Sequence, residues 1–141
     1  MSQTELVQTS TIRVGQYIVI DGKPCKVIAV STAKPGKHGA SKTMFDTKDL
    51  LSGKNVQTSA ASKGTIEVPE IVRENYTVIG VSNDGFMTLE RNGNIRQDVR
   101  LPANENGDLV HKMIKDDKYP EIVLMTVLGY DIIVSVRESS E

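Results

Sequence analysis

Short apolar runs separated by turn signals are the feature that most limits how this chain can fold. Residues 17–20 are apolar, Asp21-Gly22 follows as a dipeptide that favours a tight hairpin turn, and residues 25–30 form the returning run. Weaker strand patterns cover residues 44–51, 56–59 and 65–68. Because no long amphipathic helix pattern accompanies these runs, the sequence predicts a mainly β protein.

The returning run at residues 25–30 is too apolar to expose both of its faces. Strict alternation along it predicts Lys26 and Ile28 on one face, with Val27 and Ala29 on the other. The small, polar, glycine-bearing residues 31–42 that follow predict a loop.

The second half of the chain has a strand set of its own. Strand patterns at residues 77–81, 86–90 and 95–101 predict a three-strand meander with turns at Asn83-Asp84-Gly85 and Asn92-Gly93. A last hairpin, residues 122–128 and 132–136, is predicted around Gly129.

A short helix is predicted between the meander and the hairpin. Asp108 is its predicted N-cap, and residues 118–120 end it. The helical spacing places Leu109, Val110, Met113 and Ile114 on one face. Three strands, a helix and two strands form the order of an OB-type barrel.

Pro69 interrupts the alternating run at residues 65–68 and marks a predicted domain boundary. The prediction is two small barrels: an SH3-like domain over residues 1–68 and an OB-fold domain with one short helix over residues 69–141. The first segment carries nine Lys and Arg against five Asp and Glu, a net charge of +4. The second carries eight against thirteen, a net charge of −5. A polyanion should therefore be attracted to the first segment.

Composition argues against several function classes. One cysteine, Cys25, and two histidines argue against a disulfide framework or a multi-cysteine zinc site, so we expect no bound metal. The longest apolar stretches are too short for a membrane span, and the first residues lack a signal pattern, so we expect a cytoplasmic protein that does not contact membranes.

One unusual segment, residues 34–39, lies within the predicted loop. Pro35 biases Lys34 toward an extended conformation, while Gly36 and Gly39 permit a sharp reversal around Lys37. The expected result is a thin, basic and mobile tip over residues 34–40, with Lys37 near its apex. It is not a phosphate-binding P-loop, because Gly36-Lys37 is followed by histidine rather than by serine or threonine.

The string Lys34-Pro35-Gly36-Lys37-His38-Gly39, after Gly15-Gln16-Tyr17 and Pro24-Cys25, closely resembles the translation initiation factor 5A family. The resemblance implies the two-barrel fold described above. It also implies that Lys37 becomes hypusine or deoxyhypusine when deoxyhypusine synthase transfers the aminobutyl group of spermidine to it. The synthase uses NAD, so this chain is expected to bind no cofactor. The residues implied to support modification and tRNA contact are Lys34, Pro35, Gly36, His38, Gly39 and Lys42.

By the same resemblance, the factor binds the ribosome and its modified arm reaches the acceptor end of the peptidyl-tRNA. The implied role is to promote peptide-bond formation at the first peptide bond, at stalled polyproline sequences and at termination. The chain supplies no catalytic residue in this account, so we expect neither enzymatic activity nor a small-molecule substrate.

Two other interpretations of the sequence stay open. The chain could be a general single-stranded RNA-binding OB-type module without lysine modification. An enzyme is the third possibility, but no acid–base or metal constellation is recognisable. Cys25 is expected to be a small core residue, His111 a structural residue on the helix, and most of Tyr76, Phe86, Tyr119 and Tyr130 to fill the core.

Overall fold

Strands dominate the residues that the computed structural model describes, which are 3–33 and 40–138. The chain folds as two units, residues 1–71 and 72–141. The predicted fold class, mainly β with two small barrels and one short helix, is confirmed. The domain boundary between residues 68 and 69 stays a prediction, and Pro69 is a buried residue at the end of a strand.

The described part of the first unit contains six strands. They are β1 (Thr4–Gln8), β2 (Tyr17–Ile20), β3 (Lys23–Ala33), β4 (Lys42–Asp49), β5 (Asn55–Ala61) and β6 (Thr65–Pro69). Strands β2, β3, β4 and β5 form an antiparallel sheet in that order, and β1 pairs with β6. The predicted turn between β2 and β3 is present, with φ of 51° at Asp21 and 76° at Gly22. Strand β1 has no counterpart in the sequence prediction because its apolar Leu6 is exposed.

Strict alternation along β4 orients the first unit. Thr43, Phe45, Thr47 and Asp49 are buried, while the residues between them are exposed. Phe45 packs with Ile12, Ile18 and Val27 in a buried cluster. Because successive side chains of a strand point to opposite faces, burial of these residues places the residues between them on the outer face of the sheet.

The predicted assignment of residues 25–30 to the two faces of the strand is wrong for Ala29. A β-bulge interrupts the pairing of β3 with β4 between Val27 and Ala29, so Val27 lies opposite buried Thr47 whereas Ala29 lies opposite exposed Asp46. The extra residue, Ile28, breaks the period of two, and Val27 and Ala29 consequently lie on different faces of the sheet.

The second unit follows the predicted order. Its elements are β7 (Ile71–Val81), whose first residue is the last of the first unit, β8 (Phe86–Arg91), β9 (Asn94–Arg100), the helix α1 (Glu105–Lys115), β10 (Glu121–Val127) and β11 (Tyr130–Arg137). The sheet order is β11-β10-β7-β8-β9, with β9 and β11 at its edges. Arg96 on β9 donates to Asp131 on β11 at 3.1 Å, so a salt bridge joins the two edge strands.

The predicted start and end of the helix are wrong. Asn104 is the N-cap, and its Oδ1 accepts a hydrogen bond from the Gly107 N–H at 3.0 Å. Asp108 lies inside the helix, and its N–H donates to the Asn104 carbonyl. Gly107 obscures the start because glycine is a poor helix former. The helix ends at Lys115, before the predicted stop at residues 118–120.

Within the described residues, no helix has the length and apolar character needed to cross a membrane.

Candidate functional site

Most of the predicted site lies outside the described residues. Lys34, Pro35, Gly36, Lys37, His38 and Gly39 belong to this undescribed part, and so does the expected mobility of the tip. The structure does describe the strands on either side, Ala40 and Ser41, and the site residue Lys42. These described residues flank residues 34–39 in the sequence.

The base of the loop is a paired two-stranded stem. Thr32 lies opposite Thr43, and Ala33 lies opposite Lys42 as the last pair of β3 with β4. The predicted loop at residues 31–42 is therefore too long at both ends. Threonine favours extended structure, and pairing across the stem extends both strands.

A turn after β5 fixes the returning side of the stem. The Ser62 N–H donates to the Ser41 carbonyl at 3.0 Å, and the hydroxyls of Ser62 and Thr43 are 2.8 Å apart. Thr43 is buried and Ser62 is half-buried, so this hydroxyl pair is partly shielded from water. The Gly64 carbonyl in the same turn accepts a hydrogen bond from the Thr9 N–H at 3.0 Å. The stem is thus connected through this turn to the start of the chain.

Lys42 lies on the outer face at the base of the loop. It is exposed, and its cross-strand neighbours are the small residues Ala33 and Ala61. Lys42 forms no ion pair with the described residues. Its ammonium group is therefore available to an anion that approaches the loop.

Cys25 lies on β3 and is buried. Burial raises the pKa of its thiol, a hydrogen bond with Thr47 opposes that increase, and the net shift is upward. Because the thiolate is the reactive form, this environment suits a core residue rather than a nucleophile.

The histidine and two of the tyrosines of the second unit lie at the surface. His111 is exposed on α1, and Tyr119 and Tyr130 are 56% and 44% exposed, so the expectation of core filling is wrong for these two tyrosines. Phe86 lies beneath the Arg100 guanidinium, at 4.5 Å from ring centroid to Cζ.

Among residues 3–33 and 40–138, no three His, Cys, Asp or Glu side chains come close enough to hold a metal ion.

The hydroxyl pair of Thr43 and Ser62 was not predicted. The two residues are 19 positions apart, and no motif marks their contact. The only sequence signal is the placement of small hydroxyl residues just after the loop and just after β5.

Two family models match the chain. Residues 2–64 match "Translation initiation factor 5A-like, N-terminal". Residues 70–137 match "Eukaryotic elongation factor 5A hypusine, DNA-binding OB fold". Together the models cover nearly the whole sequence.

Individual relatives carry the same name. The chain is 34% identical to eukaryotic translation initiation factor 5A of Dictyostelium discoideum, over 99% of this chain and 87% of that protein. It is 41% identical to eukaryotic translation initiation factor 5A-4 of Solanum tuberosum, over 98% of this chain and 80% of that protein.

Solved structures agree with the sequence comparisons. A translation initiation factor eIF-5A family protein from Naegleria fowleri has a TM-score of 0.85 at 27% identity, over 96% of this chain and 99% of that one. A eukaryotic translation initiation factor 5A from Methanococcus jannaschii has a TM-score of 0.75 at 24% identity, over 97% of both chains, and supports the fold alone. With both family models and relatives of this similarity, the chain belongs to the translation initiation factor 5A family.

Proposed function

We propose that this chain is a translation factor whose modified lysine, Lys37, reaches the acceptor end of the peptidyl-tRNA on the ribosome. The observation that carries the proposal is the pairing of Ala33 with Lys42, because it brings together the two strand ends that flank residues 34–41 in the sequence. The names of the relatives support a role in translation. The description of the second family model supports a hypusine.

Deoxyhypusine synthase is the proposed modifying partner, with spermidine as the source of the aminobutyl group. A substrate lysine must enter the site of the modifying enzyme, and Gly36 and Gly39 add no side-chain bulk around Lys37. The NAD needed for the transfer belongs to the synthase. The proposal assigns no bound cofactor, metal or small-molecule substrate to this chain.

The proposed action is orientation of the tRNA acceptor end. The aminobutyl group lengthens the reach of Lys37 and adds a second amine to it. Holding the acceptor end in place lowers the entropic barrier to peptide transfer. The translation steps that benefit most are those in which the acceptor end is poorly oriented. We propose that these steps are formation of the first peptide bond, elongation at stalled polyproline sequences and termination.

In this account the chain is not an enzyme, because it donates no acid, base or nucleophile to the reaction. Lys34, His38 and Lys42 are the proposed contacts of the loop with tRNA, and Pro35 shapes their presentation. The proposed location is the cytoplasm, where these ribosomes work.

A single-stranded RNA-binding module without modification is the second candidate. The exposure of Tyr119 and Tyr130 favours it, because OB folds bind bases on aromatic side chains. The net charge of −5 over residues 69–141 disfavours it, since a strongly acidic domain repels phosphates.

A Lys37→Arg variant distinguishes the two candidates, because arginine keeps the positive charge but is not a substrate for the aminobutyl transfer. Protein from the native host is added to a translation reaction programmed with a polyproline message. We expect the variant to lose most of the stimulation while its thermal unfolding midpoint is unchanged. Lys112→Arg, at an exposed position on α1, is the matched control and should stimulate normally. Full stimulation by Lys37→Arg would instead favour the unmodified RNA-binding module.

A further inference from the structure

Two lysines on the outer face of the first unit's sheet lie directly opposite each other. Lys26 on β3 pairs with Lys48 on β4, and both are exposed. Directly opposed residues in an antiparallel pair have Cβ atoms about 4.5–5.5 Å apart, and like charges in this arrangement destabilise the sheet. Tyr17 on β2 and Asn55 on β5 continue the same row on either side.

Neither ammonium group is neutralised by the described part of the chain, where no Asp or Glu oxygen lies within 4 Å of Lys26 or Lys48. Asp49, next to Lys48 in sequence, is buried on the inner face, and its Oδ1 accepts the N–H groups of Leu51 and Ser52. Asp46 is the carboxylate on the outer face of β4, two residues from Lys48 or about 7 Å along the strand. The pair therefore keeps its unbalanced positive charge.

We infer that Lys26 and Lys48 together bind one backbone phosphate of an RNA strand. A phosphate placed between the two ammonium groups would remove their repulsion and gain a charge-assisted hydrogen bond from each. Toward the loop, β3 presents the small residues Ala29 and Ser31, so an extended backbone can approach along β3, whereas β4 carries exposed Met44 and the carboxylate of Asp46. RNA, which is a polyanion, is attracted by the net positive charge of residues 1–68.

The position of the pair relates it to the loop. Lys42 lies on the same face of β4, six residues before Lys48, which corresponds to about 20 Å along a strand. An RNA strand that contacts Lys42 can therefore continue along this face to the Lys26–Lys48 pair. The inference rests on the proposed function in one respect. It assumes that the RNA bound by the lysine pair is the same RNA that the loop is proposed to reach, so the pair is a second contact to it.

The test measures RNA binding by the full-length protein. The probe is a fluorescein-labelled RNA hairpin with a tRNA acceptor-stem sequence and an unpaired CCA end, and its affinity is measured over a series of KCl concentrations. Lys26→Ala and Lys48→Ala should each weaken binding and make the slope of log K against log salt shallower. Because the pair shares one phosphate, the double variant should make the slope shallower by about 1 in total, rather than by about 1 for each lysine. Lys112→Ala on α1 removes the same charge elsewhere and should leave the slope unchanged.

A stability measurement separates binding from folding. Removing one lysine should leave the urea unfolding midpoint unchanged or raise it, because repulsion is relieved. Unchanged salt slopes in both single variants would overturn the inference, and so would a lowered midpoint that accounts for the lost affinity. A loss of binding to a polyglutamate peptide without any loss of RNA binding would also overturn it, by identifying an acidic protein as the partner.

The same RNA measurement on Lys37→Arg separates this inference from the proposed function. If Lys37→Arg translates normally while the lysine-pair variants still lose RNA affinity, the proposed function fails and the phosphate site stands. If Lys37→Arg is inactive while the lysine-pair variants bind RNA normally, the phosphate site fails and the proposed function stands.

Discussion

Ala33 and Lys42 face each other as the last cross-strand pair before the loop, which brings the two ends of the loop together. The Cα atoms of opposed residues in antiparallel strands are about 4.5–5.5 Å apart. The strand ends that flank residues 34–41 in the sequence are therefore close together. Strand ends this close together suit a loop that is proposed to enter both the active site of a modifying enzyme and a ribosomal cleft.

The hydroxyl pair of Thr43 and Ser62 should stabilise this stem. Thr43→Val keeps the shape of the buried side chain but leaves the Ser62 hydroxyl without this partner, so we expect a loss of about 1 kcal/mol in the free energy of unfolding. Ser62→Ala should cost a similar amount. Urea unfolding followed by circular dichroism measures both.

The double variant is the control for this interaction. If the two hydroxyls stabilise each other, Thr43→Val and Ser62→Ala combined should cost less than the sum of the single changes. Strict additivity would show that the contact contributes nothing to stability.

Gly107 should not tolerate a side chain, although it lies in a helix. Helix propensity alone predicts that Gly107→Ala is stabilising by about 1 kcal/mol. A Cβ atom at this position would overlap the Pro102 carbonyl oxygen, so we expect a net loss of about 1–3 kcal/mol instead. Thermal unfolding gives the sign directly. The exposed helical position Asp108 provides a comparison, because Asp108→Ala should change stability little.

The Asp49 carboxylate should make stability depend on pH. Burial alone would raise its pKa, but the N–H groups of Leu51 and Ser52, with the nearby charge of Lys23, hold it below the ordinary value of 3.8. A carboxyl group with a lowered pKa in the folded state contributes stability above its unfolded pKa. That contribution is lost as the pH falls through the folded pKa.

The Asp49→Asn variant isolates the charge, because its amide oxygen can still accept these hydrogen bonds. We expect it to be less stable than the parent at pH 7 and to approach the parent as the pH falls below about 4. Urea unfolding midpoints measured from neutral pH down into this acidic range provide the comparison. A constant difference over the whole range would mean that the charge of Asp49 does not stabilise the fold.

Local sequence signals predicted the parts of the fold that depend on single turns. A tight hairpin turn needs residues with positive φ, which Asp21-Gly22 can adopt, and both residues have positive φ in the structure. Gly129, which also has positive φ, predicted the last hairpin for the same reason. The helix start was missed because Asn104 is separated from the apolar periodic residues by poor helix formers such as Gly107.

The details of the site depend on register, which the sequence does not specify. The bulge between Val27 and Ala29 breaks the period of two without any glycine or proline to mark it. Both the Lys26–Lys48 row and the Thr43–Ser62 contact depend on which residues of neighbouring strands meet. Lys37, by contrast, was assigned through a local string whose resemblance to a known family needs no three-dimensional information.

The proposed modification can be read from the mass of the peptide that contains Lys37. The protein is purified from its native host, digested with a protease that does not cleave at lysine, and analysed by tandem mass spectrometry. We expect Lys37 to carry the mass of one aminobutyl group, with or without one added oxygen, and Lys34 and Lys42 to be unmodified. An unmodified Lys37 in growing cells that depend on this factor would contradict the proposed function.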